Sequence, residues 1–349
     1  LFSKINRDEH PKTGSGKYFA STVSLQRPIS MSKKWQAAEI PSLSNKRVLI
    51  TGANSGIGYH TALTLARKGA HVLLACRDLR RGEAAIARLH AESPGIQIEL
   101  ILLDLASLES VRSVASAELA IRRPLHLLIN NAGVMAPPKR LETYDGFELQ
   151  FGTNVLGHFA LTALLRPALQ QAANESAADS SARPRIVTIA SIAHKRGQIN
   201  FDDLQSSRSY SPMRAYQQSK LANLLFTFEL DRRLRAADSP IMSVAAHPGV
   251  AQTNLFQSGN YSAVEKAVRN LVGHAIGILL NTDSEGALPT LYAAASPDAK
   301  DGGYYGPQGF QEMHGHEVGP AVIAPQANDT AAATRLWQIS EELTGIKFL

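Results

Sequence analysis

Thr51-Gly52-Ala53-Asn54-Ser55-Gly56-Ile57-Gly58 is the stretch on which the reading of this chain turns. The apolar run Val48-Leu49-Ile50 leads into it and reads as a strand ending at Thr51. Tyr59–Gly69 follows and reads as a helix with a glycine stop. A strand, a glycine turn and a helix N-terminus make a natural anion site, because free backbone N–H groups and the helix dipole point at the same spot. Gly52, Gly56 and Gly58 let a backbone approach a pyrophosphate without a Cβ in the way. The spacing is G-x-x-x-G-x-G, which differs from the G-x-G-x-x-G dinucleotide fingerprint. A turn of this kind can also be purely structural, so the rest of the chain has to decide.

Downstream, strands alternate with helices. Ala70–Cys76, Gln97–Leu103, Leu125–Asn130, Arg185–Ala190 and Met242–Ala246 are short apolar runs. Between them, Leu79–Ala91, Leu108–Ile121, Gly146–Gln171 and Met213–Arg235 read as helices. Strand–helix alternation with continuous apolar strands predicts an α/β fold whose parallel sheet is covered on both faces. Gly302-Gly303-Tyr304-Tyr305-Gly306 reads as a last strand and turn. Ala331–Thr344 reads as a closing helix anchored by Trp337, Ile339 and Leu343. Asn174–Arg185 reads as a surface loop without chemistry.

The chain has 349 residues, 44% of them hydrophobic and 19% charged, as expected of a globular fold. Its formal charge of +6 resides in residues 1–47, which hold nine Lys or Arg against three acids. The remainder is neutral overall, which argues against a nucleic-acid partner. Residues 1–45 are polar, basic and aperiodic, and read as a disordered leader outside the fold, with Met31 a candidate native start. The single Cys76 excludes an intrachain disulfide and a cysteine metal site, and suits a cytoplasmic location. No apolar run reaches the length of about 18 residues that a membrane span requires. His314 and His316 have no partner cluster, so no metal is expected.

Tyr216-Gln217-Gln218-Ser219-Lys220 lies in the helix after the fifth strand. Positions four apart share a helix face. An ammonium beside a phenol favours the phenolate, and a phenol so tuned can exchange a proton with an alcohol or carbonyl. The same pattern also occurs on ordinary solvated helices, so its surroundings matter. Ser191 follows strand five at the strand's C-terminal edge, where ligands bind in open α/β sheets. Asn130-Asn131-Ala132-Gly133 follows strand four, and Asn154 lies in the next helix. His247-Pro248-Gly249-Val250-Ala251-Gln252-Thr253 follows strand six. His194, close behind Ser191, reads as a structural or solvated loop residue, and Cys76 as a small core residue.

This ordered set resembles the short-chain dehydrogenase/reductases over about Lys46–Leu255. Cys76-Arg77-Asp78, Asp145-Gly146-Phe147-Glu148, Asn154-Val155-Leu156-Gly157-His158-Phe159 and Ser219-Lys220-Leu221-Ala222-Asn223 are similar to its retinol dehydrogenase and protochlorophyllide reductase branch. The resemblance implies a doubly wound Rossmann domain over residues 46–349, with strand order 3-2-1-4-5-6-7. It implies hydride exchange between a nicotinamide cofactor and an alcohol or carbonyl carbon. Tyr216 would be the general acid/base, Lys220 would lower its pKa and hold the ribose, and Ser191 would bind the substrate oxygen. Asn154 would open its helix backbone for a relay water. Cofactor contacts are implied at Gly52, Asn54, Ser55, Gly56, Ile57, Gly58, Arg77, Asp104, Leu105, Asn131, Ala132, Gly133, Tyr216, Lys220, Pro248, Gly249 and Thr253.

Cofactor preference is read at the end of the second strand. An NAD site usually has an acid there, whereas Arg77 suits the 2′-phosphate of NADP. Asp78 stands directly beside it. Residues 254–285 are expected to cover the substrate; Ala263–Leu280 is an amphipathic helical run that suits a lid over an apolar alcohol or carbonyl. A photoenzyme-like reduction of a C=C bond is the enzymatic alternative, disfavoured because Leu221 rather than cysteine follows Lys220. A cofactor-binding sensor without activity is the other. The resemblance allows a homo-oligomer and equally a monomer.

Overall fold

Strand β1 (Arg47–Thr51) is buried along its whole length. Its side chains alternate between two cores: Val48 and Ile50 face one, Leu49 the other. That double burial is what an apolar run without polar alternation demands. The computed structural model describes residues 34–175, 183–250 and 281–349. Among these, β1 is followed by α1 (Gly56–Arg67), β2 (His71–Cys76), α2 (Leu79–Glu92), β3 (Gln97–Leu102), α3 (Leu108–Ala120) and β4 (Leu127–Asn130). A short turn of helix, α4 (Leu149–Phe151), runs through a π-helical segment (Gly152–Leu156) into α5 (Gly157–Glu175). Then come β5 (Arg185–Ile189), α6 (Pro212–Ala236), β6 (Met242–Ala246), α7 (Asp283–Ala295), β7 (Tyr304–Pro307), β8 (Val318–Pro320) and α8 (Thr330–Thr344).

The described residues form one eight-stranded sheet in the order β3-β2-β1-β4-β5-β6-β7-β8. Neighbours are parallel except β7 and β8, which pair antiparallel. The chain reverses direction across the sheet between β1 and β4, and a crevice opens there at the C-terminal strand ends. One core packs α1, α2 and α7 on the sheet; the other packs α3, α5 and α6 on its opposite face. The expected doubly wound α/β architecture and its seven-strand order are therefore present, extended by β8.

Three expectations need correction. Residues 34–45 belong to the folded unit rather than to a leader: Ile40 and Leu43 are buried, Trp35 meets Tyr292 edge-on at 5.2 Å, and the Leu43 N–H donates to the Lys68 carbonyl at 2.7 Å. The unit begins at Lys34, and only residues 1–33 of the expected leader lie outside the described residues. Residues 281–285 are not lid: Thr282 and Glu285 form a capping box that starts α7, which packs on α1. The rest of the expected lid lies outside the described residues. Gly302–Gly306 is not the last strand, because β8 adds to its edge through only three residues.

Helix α8 closes the α5–α6 face. The Trp337 ring stands edge-on to Phe159 at 5.1 Å and stacks on Phe348 at 4.9 Å, with the Arg233 guanidinium 4.4 Å from its centre. Of the three expected anchors, Trp337 is buried, while Ile339 and Leu343 are partly buried. Removing that indole opens a large cavity, so Trp337→Ala should cost about 3–5 kcal/mol in chemical denaturation. A loss below about 1 kcal/mol would contradict this packing role.

Candidate active site

The site is assembled from the C-terminal ends of β1, β4 and β5 and the first turns of α6. Gly52 and Gly56 take left-handed φ values of +65° and +58°, so the turn after β1 needs glycine at both positions. Ser55 occupies the N-cap of α1 without a side-chain cap bond, and Gly56, Ile57 and Gly58 form the first turn. Asn54 and Ser55 are part-exposed beside it. The N-termini of α2 and α3, by contrast, are capped by Asp78 and Ser107. The first turn of α1 has no side-chain cap, and a glycine-rich helix end of this kind suits the phosphates of a dinucleotide.

The turn after β4 is bound to the turn after β1 by one hydroxyl. Thr51 Oγ1 accepts the backbone N–H of Asn131 and that of Ala132, both at 2.9 Å. Asn131 Nδ2 donates to the Thr51 carbonyl at 2.8 Å. A Cβ built on Gly133 would stand 3.3 Å from Asn154 Oδ1 and 3.7 Å from Lys220 Nζ, so this turn borders both side chains.

Asn154 is fully buried in the π-helical segment. Its Oδ1 accepts the Val134 N–H at 2.8 Å, and its Nδ2 donates to the Val134 carbonyl at 3.0 Å and to Ser219 Oγ at 3.0 Å. The side chain therefore pins the loop after β4 to α6. His158 Nδ1 lies 3.1 Å from the Asn154 backbone carbonyl oxygen, whose second lone pair is compatible with the expected relay water. A π-turn of this sort is characteristic of functional helices.

Tyr216 and Lys220 sit one turn apart on α6, both buried, with Lys220 Nζ 5.8 Å from the phenol ring centre. Burial pushes the Tyr216 phenol up to about 12, and a hydrogen bond with Ser191 pulls it back only partly. Burial lowers the Lys220 ammonium to about 8. In the protein without cofactor, desolvation dominates the Tyr216 phenol. Lys220 Nζ donates to one acceptor among the described residues, the Ile189 carbonyl at 2.9 Å. Its remaining protons suit a polyhydroxyl ligand such as a ribose. Ser191 caps the short 3-10 turn Ile192–Arg196, its Oγ accepting the Ala193 N–H at 3.2 Å.

The remaining expected cofactor residues surround this centre. Arg77 is exposed just past the end of β2. Asp78 beside it is committed to α2, its Oδ1 accepting the Arg81 N–H at 3.0 Å. Asp104 accepts the Ala106 N–H at 2.9 Å, and Leu105 is buried against Gly157. Pro248 accepts a hydrogen bond from Asn281 Nδ2 at 3.0 Å, and Gly249 has a φ of +73°. Thr253 lies outside the described residues.

Glu312, which the sequence did not single out, completes the surroundings. Glu312 holds the segment after Ser191 to the end of β6: its Oε2 is 2.8 Å from Lys195 Nζ and 3.6 Å from His247 Nε2. Its Oε1 accepts the Val322 N–H at 2.6 Å. Lys195, His247 and that N–H hold its carboxyl near 2 despite burial. His194 is fully buried and structural, with Nδ1 2.7 Å from the Ser191 carbonyl.

Comparison with known proteins decides the family. The model of the short chain dehydrogenases matches residues 46–263. This chain belongs to that family. It is 41% identical over 319 residues to human retinol dehydrogenase 14, covering 87% of this chain and 88% of that protein. It is 39% identical over 306 residues to mouse polyprenol dehydrogenase, covering 88% and 86%. A crystal structure of an uncharacterized protein from Mycobacterium paratuberculosis aligns with a TM-score of 0.70 and 42% identity, over 91% of this chain and all of that one. The protein is an NAD(P)-dependent short-chain oxidoreductase of the retinol dehydrogenase-like branch, acting on CH–OH or C=O groups. No helix among the described residues is long and apolar enough to cross a membrane.

Proposed function

We propose that this protein interconverts an apolar alcohol and its carbonyl compound with NADP(H), with Tyr216 as general acid/base. The observation that carries the proposal is the buried Tyr216 phenol, with the Ser191 hydroxyl near enough to lower its pKa and the Lys220 ammonium 5.8 Å from its ring centre. With its pKa near 12, the phenol keeps its proton at neutral pH and is ready to give it to an oxygen that gains negative charge. Ser191 supplies a second donor to that oxygen, in a site from which burial excludes water. The bound cofactor supplies or accepts the hydride. Asn154 contributes by holding the loop after β4 against α6, which keeps Gly133 and Lys220 in register.

NADP is favoured over NAD by the division of labour at Arg77 and Asp78. Arg77 is free to meet a 2′-phosphate with charge-assisted bonds. Asp78, the acid that would bind a ribose diol, already holds the N-terminus of α2 through its Oδ1. An apolar substrate is supported by the patch around Tyr216, where Met135, Ala136 and Ala193 gather. The similarity to a retinol dehydrogenase and a polyprenol dehydrogenase also points to isoprenoid alcohols.

Tyr216→Phe should lower kcat with an apolar aldehyde by about 1,000-fold or more while leaving NADPH binding within about 3-fold. A variant with wild-type turnover would remove the proposed acid. Arg77→Ala should weaken NADPH about 10-fold, the loss of one charge-assisted contact, and leave NADH nearly unchanged; equal losses for both would contradict the 2′-phosphate assignment. Lys220 in the free protein titrates near 8, so its cationic form is lost as pH rises through that value. NADPH affinity measured by fluorescence should accordingly fall between pH 7 and pH 9. An affinity that stays flat over that span would contradict the contact.

A further inference from the structure

His158 lies at the i+4 position from Asn154, fully buried between the π-helical segment and the end of β1. Its Nε2 is 2.9 Å from Thr51 Oγ1, and its Nδ1 is 3.1 Å from the Asn154 carbonyl. Hydrogen-bond accounting fixes its proton. Thr51 Oγ1 has two lone pairs and one proton. Both lone pairs are taken by the N–H groups of Asn131 and Ala132. The hydroxyl proton must therefore go outward. The Ile129 carbonyl, at 3.4 Å, is a poor acceptor, whereas His158 Nε2 at 2.9 Å is a good one. Nε2 accepts, so the ring proton sits on Nδ1 and points at the Asn154 carbonyl.

We infer that His158, as its neutral Nδ1–H tautomer, is a positioning residue that couples the glycine-turn end of β1 to the Asn154 carbonyl. The link runs from the two β4-turn amides through Thr51 and the imidazole to the π-turn. Its far side is anchored as well: Thr162 Oγ1 donates to the His158 carbonyl at 2.7 Å and accepts from Asn130 Nδ2 at 2.9 Å. Burial and the nearby Lys220 keep the imidazole neutral, with a pKa near 4, so the tautomer persists across the working pH range. One imidazole thus holds the cofactor-side turns and the Asn154–Lys220 side of the site in a single register. The consequence for turnover rests on the proposed roles of Asn154 and Lys220; the tautomer and the link do not.

Two experiments test this. In the wild-type protein, nitrogen-detected NMR of the histidine rings should show a buried ring protonated at Nδ1 and unprotonated at Nε2, neutral down to pH 5, that is absent from His158→Asn, while the His194 ring, whose Nδ1 faces the Ser191 carbonyl and whose Nε2 accepts the Ala324 N–H, remains in both. An Nε2–H or charged ring at this position would overturn the inference. In kinetics, His158→Leu should raise the NADPH dissociation constant about 5-fold and lower kcat about 10-fold, the scale of one or two buried hydrogen bonds, with the aldehyde KM within about 2-fold. His158→Asn keeps an N–H within reach of the Asn154 carbonyl and loses only the Thr51 bond. It should recover kcat to within about 3-fold while its NADPH affinity stays weak. Parallel losses in both variants that follow only their urea midpoints would reduce His158 to packing and overturn the coupling. Should Tyr216→Phe prove fully active, the ring tautomer and the NADPH affinities would still decide this inference separately.

Discussion

The hydroxyl of Thr51 is the contact on which the site depends. It accepts the N–H groups of Asn131 and Ala132, each at 2.9 Å, and so joins the turn after β1 to the turn after β4. Those two strands flank the point where the strand order reverses. Together with the Asn131 Nδ2 bond to the Thr51 carbonyl, this hydroxyl helps offset the cost of about 1–2 kcal/mol per residue for ordering two glycine-bearing loops. With it, the uncapped N-terminus of α1, the Gly133 turn and the Lys220 ammonium face one crevice.

Burial then sets the chemistry of that crevice. It raises the Tyr216 phenol and lowers the Lys220 ammonium, so the two groups depart from their ordinary values in opposite directions. This is the same physical cause acting on an acid whose charged form is negative and on one whose charged form is positive. In the free protein, burial therefore favours the protonated phenol over the phenolate.

The strand–helix rhythm and the Tyr216–Lys220 spacing were legible in the sequence because both depend on local periodicity. The short edge strand β8 was not: its three residues carry no pattern of their own and pair only because β7 presents an edge. Helix α7 did carry a signal, the Thr282–Glu285 capping box, which the apolar run before it overshadowed. Residues 34–45 looked like leader because composition alone does not show that Ile40 and Leu43 are buried. The Glu312 clamp and the His158 link join positions far apart in sequence, and long-range polar contacts leave no spacing to read. Asp78 is the reverse case. Its identity left the cofactor reading open at sequence level, and only the structure shows that its Oδ1 caps α2.

The account's central claim is that hydride moves onto a carbonyl carbon while a buried phenol gives the proton. The direct measurement is to supply NADPH deuterated at nicotinamide C4 with an apolar α,β-unsaturated aldehyde and to locate the label in the product. The account predicts one deuterium on the former carbonyl carbon of an alcohol whose C=C bond is intact. Deuterium on a carbon of the reduced double bond, or cofactor oxidation without label in the product, would contradict it.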